Sequence, residues 1–295
     1  MRSLSLACFG RFRSPLRGRV ERPSSLTLPV EGGGKCSAFA ALVALFAALP
    51  AHATPPSRVA SLNLCTDELA LELAASRQLA SVTFLAADAD ETVLAPLAAR
   101  LHHNNGRMDS VAALAPDLVL TSGPSTRYAA EIAQRMGARV LDVPEPRTIA
   151  DVRANVRAVA AALGRGQAGD ALIARFDRDL GPTPARARAA LLLETGGYVP
   201  RPDGLAAQFL RHAGLAQTAM PGERADIETL LLHPPAILLT SRYRAGQTSN
   251  QQAWLGHPAL TRLPSRRLSL DGRAWTCMGP LAARALPQLR AAVAR

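Results

Sequence analysis

Two blocks of alternating strand-like and helix-like segments, separated by residues 148–180 with no strand pattern, dominate the sequence from Ser57 onward. In the first block "RVASL" reads as a strand and "TDELALELAA" as a helix. "LASVTFLA" (79–86) and "ARVLDVP" (138–144) read as further strands, with the strand of "SVAALAPDLVLTSG" (110–123) and the helix "RYAAEIAQRMG" (127–137) between them. The second block repeats the scheme. "AALLLETGG" (189–197), the end of "DIETLLLHPPAILLTSR" (226–242) and "RRLSL" (266–270) are strands; "LAAQFLRHAGL" (205–215), "QQAWLGHPALTRL" (251–263) and "GPLAARALPQLRAAVA" (279–294) are helices. Such alternation calls for parallel sheets covered by helices, since parallel strands need crossover connections. "SVAALAPDLVLTS" and "DIETLLLHPPAILLTS" are alike and read as matching elements of two α/β lobes.

Between the blocks, Ile149, Val152, Val156, Val159 and Leu163 recur at helical spacing. Thr148 is the candidate N-cap, with Asp151 three residues on. The expectation is one long rigid helix over 148–180, roughly 45 Å at the standard rise, joining an N-terminal lobe (57–147) to a C-terminal lobe (181–295).

Residues 1–53 read as a targeting segment. Lys35 precedes the apolar run "CSAFAALVALFAALP", too short to span a bilayer comfortably, and "AHA" at Ala51–Ala53 supplies a small-x-small cleavage signature. Cleavage after Ala53 is expected, and the length before Lys35 suggests a true start near Val30. The net charge of +11 hints at nucleic acid. Seven of the basic and two of the acidic residues lie in 1–53, so removing them leaves +6. The remaining arginines are scattered among acids and aromatics are only 4 %, which argues against a nucleic-acid surface.

Catalytic signatures are sparse. "GRGQAG" (164–169) matches G-x-G-x-x-G but follows a helical run instead of a strand, so it reads as coincidence. There is no G-x-S-x-G. His102 and His103 are adjacent and diverge in a regular element, and His212, His233 and His257 are dispersed, so no bare-metal site is expected. Cys65 and Cys277 are the two cysteines beyond residue 53. Each follows a strand pattern in a different lobe. Three states are open to them: a disulfide, two thiols, or contacts with a ligand. Cys65 at a helix N-terminus also supports a remote alternative, an exported Cys-dependent enzyme, though no His partner is identifiable.

In α/β lobes ligands sit beyond the carboxyl ends of the strands. Phe84, Tyr198, Tyr243 and Trp275 stand at or just past strand ends, whereas Phe176, Phe209 and Trp254 lie inside helical patterns and read as core. Arg201, Arg242, Arg244 and Arg273 fall in C-lobe loops, which favours an anionic ligand.

"RVASLNLCTDELALELA", "VAALAPDLVLTS", the long helical stretch and "DGRAWTCMGP" resemble the iron-siderophore and vitamin B12 substrate-binding proteins of ABC importers, the helical-backbone (class III) binding proteins. The resemblance runs from Ser57 to the C-terminus. It implies two Rossmann-like lobes with a ligand cleft between them, no catalysis, and a periplasmic location. It implies an ABC permease and ATPase as partners, a monomeric state and no cofactor, the ligand carrying its own metal. A ferric siderophore is favoured over cobalamin or haem, for which Tyr198 or Tyr243 would be the iron ligand. Asn63, Cys65 and Thr66 would form the N-lobe lip, with Thr66 capping the helix and Asp67 and Glu68 in its first turn. Gly197–Arg201, Ser241–Arg244 and Arg273–Cys277 would form the C-lobe lips. Asp109 and Glu228 stand where the family places acidic residues that dock into permease arginine pockets, the first as Asp where Glu is common; helix N-capping is the alternative role for Asp109.

Overall fold

The computed structural model describes residues 54–123, 126–242 and 254–295. The first lobe is a five-stranded parallel sheet in the order β3-β2-β1-β4-β5. Its strands are β1 (Val59–Ser61), β2 (Leu79–Thr83), β3 (His102–Asn104), β4 (Leu118–Thr121) and β5 (Arg139–Asp142). Helices α1 (Leu64–Leu73), α2 (Ala95–Ala98) and α3 (Thr126–Arg135) cover it. The central strands β1 and β4 are buried along their whole length, as parallel strands covered on both faces must be. The period-2 alternation divides them: Val59, Leu118 and Leu120 face one core, and Ala60 and Val119 face the other.

The connection differs from the expected single helix. It is a pair, α4 (Ile149–Ala162) and α5 (Gly166–Leu180), that turns back on itself. Gly164 adopts φ +68° at the break, and a side chain there would meet Pro55 at 3.0 Å. Arg153 pairs with Asp177 at 2.8 Å, and Gly169 lies so close to Ala160 that a β-carbon would sit 2.5 Å away. The expected Thr148–Asp151 capping box is present. Both helices reach both lobes: Val156, Val159, Leu172 and Ile173 join the first core, and Val152, Phe176 and Leu180 the second. The "GRGQAG" stretch forms this helix–helix turn, so it has no dinucleotide-binding geometry.

The second lobe is a four-stranded parallel sheet in the order β7-β6-β8-β9. Its strands are β6 (Arg188–Leu193), β7 (Leu215–Gln217), β8 (Ile237–Arg242) and β9 (Arg266–Asp271). Its helices are α6 (Leu205–His212), α7 (Ile227–Leu232), α8 (Pro258–Thr261), α9 (Gly272–Trp275) and α10 (Pro280–Ala294). Ala190, Leu192 and Leu239 face a core with α5, α6 and α10; Leu191, Leu193 and Leu238 face the opposite one. The strands β3 and β7 escape the sequence reading because three-residue edge strands carry too few positions to show a period.

In both sheets the strand order reverses beside the first strand of the lobe, between β1 and β4 and between β6 and β8. Crevices open at such points beyond the carboxyl ends of the strands.

Candidate functional site

A large cleft, about 1070 Å³, occupies this position and draws its walls from both lobes. The N-lobe contributes the start of α1 and the segments after β4 and β5; the C-lobe contributes Glu194, Tyr198, Pro200, Arg201, Asp203–Ala206 and Trp275–Pro280. A volume of this order suits a bulky small molecule.

The knot after β1 is organised by Asn63. Its side chain accepts a hydrogen bond from the Cys65 backbone N–H at 2.9 Å, so Asn63, and not Thr66, caps α1. Thr66 lies one turn inside and is fully buried, its hydroxyl donating to the Asn63 carbonyl at 2.9 Å and meeting Ser61 at 2.7 Å. Cys65 is bonded to Cys277, with Cα atoms 5.2 Å apart, so the cleft floor is a disulfide joining the lobes.

Asp67 and Glu68 are not solvent-facing first-turn acids. Asp67 accepts hydrogen bonds from the Thr83 hydroxyl at 2.5 Å and the Thr83 N–H at 3.2 Å, and burial raises its pKa to about 7. Glu68 lines the cleft at 4 % exposure, accepts from the Thr92 hydroxyl at 2.9 Å, and is raised to about 8 by burial. On the opposite wall burial also raises Glu194. Farther along α1, Glu72 pairs with Arg175 of α5 at 2.9 Å and with Arg284 of α10. A third tie between lobes, after the disulfide and the Glu72–Arg284 pair, runs from the Arg273 guanidinium to the Ala89 carbonyl, 2.8 Å.

Of the candidate ligand contacts, Asn63, Cys65, Thr66, Tyr198, Arg201 and Trp275 line the cleft. Trp275 does so from a core position: it is 4 % exposed and packs edge-on against Phe209, ring centroids 5.9 Å apart. Phe84 is exposed in the one-turn helix Phe84–Ala87 and is not part of the wall. Arg273 is not either. Asp271 takes its guanidinium at 2.9 and 2.6 Å, and that pairing holds the Asp271 carboxyl below the usual carboxylate range. Arg201 reaches the cleft already gripped by both oxygens of Asp203, at 2.9 and 3.0 Å, with Glu223 at 3.5 Å. The Arg242 side chain, Tyr243 and Arg244 lie outside the described residues. The Tyr198 phenol, half-exposed, meets Glu223 at 3.5 Å; burial and the neighbouring Glu223 carboxylate raise its pKa, which disfavours a metal-binding phenolate.

Asp109 is exposed in the short helix Met108–Ser110 and pairs with Arg107 at 3.1 Å; Arg107 occupies the N-cap position, so Asp109 is not a cap. Glu228 is exposed in the first turn of α7, capped by Asp226. No group of three or more His, Cys, Asp or Glu able to hold a metal occurs among the described residues. No helix among them is long and apolar enough to cross a membrane.

The sequence reading missed Glu145, Arg147, Glu194 and Asp203 as cleft residues, along with the starts of α6 and α10, whose N-caps Gly204 and Gly279 line the cleft. Glu194 carried one signal, an acid directly after the buried run Leu191–Leu193.

Two parallel-sheet lobes sharing one cleft at their switch points define a two-lobed binding protein. Residues 59–267 match the family described as "Periplasmic binding protein", and the chain belongs to that family. Comparison with curated proteins yields no match. Solved structures share the fold. A periplasmic heme-binding protein, BhuT, in complex with two hemes, is 24 % identical with a TM-score of 0.60, covering 79 % of this chain and 96 % of that one. A periplasmic heme-binding protein from Pseudomonas aeruginosa is 19 % identical with a TM-score of 0.60, covering 80 % and 92 %. The periplasmic vitamin B12 binding protein BtuF of Vibrio cholerae is 17 % identical with a TM-score of 0.56, covering 80 % and 96 %.

Proposed function

We propose that this chain is the substrate-binding component of an ABC importer, exported by a signal peptide removed after Ala53, that carries a metal chelate to a membrane permease. The observation that carries the reading is the 1070 Å³ cleft at the paired strand ends, walled by both lobes. The ligand supplies the metal's donors itself. Tyr198 is turned toward Glu223 and raised in pKa, so an axial phenolate to haem iron has no support there. The tilt to an anionic ferric siderophore rested on four C-lobe arginines. Of the two whose side chains are described, Arg273 is outside the cleft and Arg201 is held by Asp203. Ferric siderophores, corrinoids and haem therefore stand as the chelate classes, since Tyr243, the other candidate haem ligand, lies outside the described residues. The enzyme alternative loses its support in the disulfide, because Cys65 is no free nucleophile.

Titrating residues 54–295 with ferric siderophores, cobalamin and haem while following tryptophan fluorescence tests the reading. Saturable quenching by one chelate at submicromolar concentration is the expected result, largely lost in Trp275→Phe. A flat response to the whole panel overturns it.

A further inference from the structure

The disulfide stands in the cleft wall and not behind it. Cys65 and Cys277 both line the 1070 Å³ cavity, and Cys65 is only half-buried, so a small dithiol in the cleft reaches the bond while the chain stays folded. Exposed disulfides are the labile and regulatory ones, whereas structural ones resist reduction.

The two sides of the bond are held with different firmness. Cys65 sits in the first turn of α1, its N–H bonded to the Asn63 side chain at 2.9 Å, and α1 buries Leu64, Leu69, Ala70 and Leu73. Cys277 sits in the irregular stretch 276–279 between α9 and α10, which is a wall of the cleft. That stretch bonds to its own lobe. The Thr276 hydroxyl donates to the Gly272 carbonyl at 3.0 Å, and the Met278 N–H donates to the Trp275 carbonyl at 3.3 Å. Met278 has φ +47°, a left-handed conformation that costs energy for any residue but glycine and persists only where its surroundings impose it. The disulfide one residue before it and the start of α10 two residues after it are the constraints on either side. The other ties between lobes, Glu72–Arg284 and Arg273–Ala89, lie outside this stretch and remain when the bond is open.

Resting on the chelate-binding reading above, we infer that the Cys65–Cys277 bond is a redox catch on the cleft wall: reduction by a dithiol frees residues 276–279 and weakens the hold on the ligand, and bound ligand covers the bond against reduction. The exchange has two steps. A thiolate of the dithiol attacks Cys65 Sγ, the Cys65–Cys277 bond breaks, and its electron pair leaves on Cys277, which takes up a proton. The second thiolate then attacks the mixed disulfide, closing the dithiol's own disulfide and releasing Cys65, which is protonated in turn. The protein gains two electrons and two protons, and the dithiol loses them. A wall that must be ordered at each binding event holds ligand less tightly than one fixed in advance. Linkage makes the effect reciprocal: the factor by which reduction weakens binding is the factor by which ligand favours the closed bond.

The test uses residues 54–295 in three states: oxidised, reduced with dithiothreitol that is then removed under argon, and Cys65→Ser/Cys277→Ser. Without ligand, dithiothreitol should release thiols at least about tenfold faster than the chain unfolds globally. Amide hydrogen exchange at 276–279 should rise at least about tenfold in the reduced and double-serine proteins, with the interior of α1 unchanged. Calorimetry with cyanocobalamin, ferrichrome and hemin should find a probe that binds the oxidised protein and binds the other two states at least about tenfold more weakly. Saturating amounts of that probe should slow thiol release. If the double-serine chain does not fold, the reduced protein carries the comparison. Thiol release only on global unfolding, unchanged exchange at 276–279, or a reduced chain that is unfolded overturns the inference. A probe that binds oxidised and reduced protein equally overturns the inference and leaves the chelate-binding reading standing. If no probe binds the oxidised protein, both fail.

Discussion

Removing the Cys65–Cys277 bond is the sharpest test of how the two lobes are held. The cysteines are 212 residues apart in sequence, so the bond closes a loop through nearly the whole folded chain. In the chain-entropy model a loop of that size removes about 18 cal/mol/K from the unfolded ensemble, or about 5 kcal/mol at 25 °C. Removing native disulfides costs about 2–5 kcal/mol, so the calculated value is an upper figure. At about 2–4 °C per kcal/mol for a domain this size, the melting temperature should fall by about 5–20 °C. The assay is calorimetry on residues 54–295 in three states: oxidised, reduced, and Cys65→Ser/Cys277→Ser. The last two should coincide, and the oxidised protein should show no free thiol. A shift below about 2 °C would refute the reasoning, because Glu72 and Arg273 would then hold the lobes without help from the bond.

Four further outcomes are expected. Burial raises Asp67 to about 7 and Glu68 to about 8, so the folded chain holds protons that the unfolded chain has released between about pH 4 and pH 8. Stability contributed by these groups is full below that window and is lost as pH rises through it; the melting temperature at pH 5.5 should exceed that at pH 8 by several degrees, and Glu68→Gln should flatten the difference. Glu72→Ala leaves Arg175 and Arg284 facing each other without their shared carboxylate; both are partly exposed, so denaturant titration should show a loss of about 1–2 kcal/mol. Gly164→Ala forces a β-carbon into a left-handed conformation against Pro55 and should cost about 1–2 kcal/mol in the same titration. Asp109→Arg and Glu228→Arg should abolish chelate uptake by cells while leaving binding by the purified protein unchanged; normal uptake in both would remove the docking assignment.

The lobes were legible because parallel strands buried on both faces leave apolar runs such as Leu118–Thr121 and Ala190–Leu193, and amphipathic stretches between them demand covering helices. The break between α4 and α5 was hidden because apolar spacing continues across it, from Val159 and Leu163 to Leu172 and Ile173; all four face the same core. Gly164 was the signal, and its use depends on a left-handed φ that spacing does not report. The candidate site was half legible. Position after a strand placed Asn63, Cys65, Tyr198 and Trp275 at the cleft. It also admitted Phe84, which is exposed, and Arg273, which Asp271 holds away from the wall. The pairing of the arginines was written locally, since Arg201 and Asp203, and Asp271 and Arg273, are two residues apart. The burial of Glu68 was not, because its cover comes from Thr92, on a distant segment.

The first helix is joined in step to the last helix and the turn before it. Cys65 meets Cys277 and Glu72 meets Arg284, and both partners lie 212 positions further along the chain. A ribosome makes α1 early and α10 last. The first lobe therefore spends most of the chain's synthesis with Cys65 unpaired and Glu72 without its Arg284 partner. Full closure of that lobe waits for residues 277–284, which lie far from it in sequence and supply these two partners.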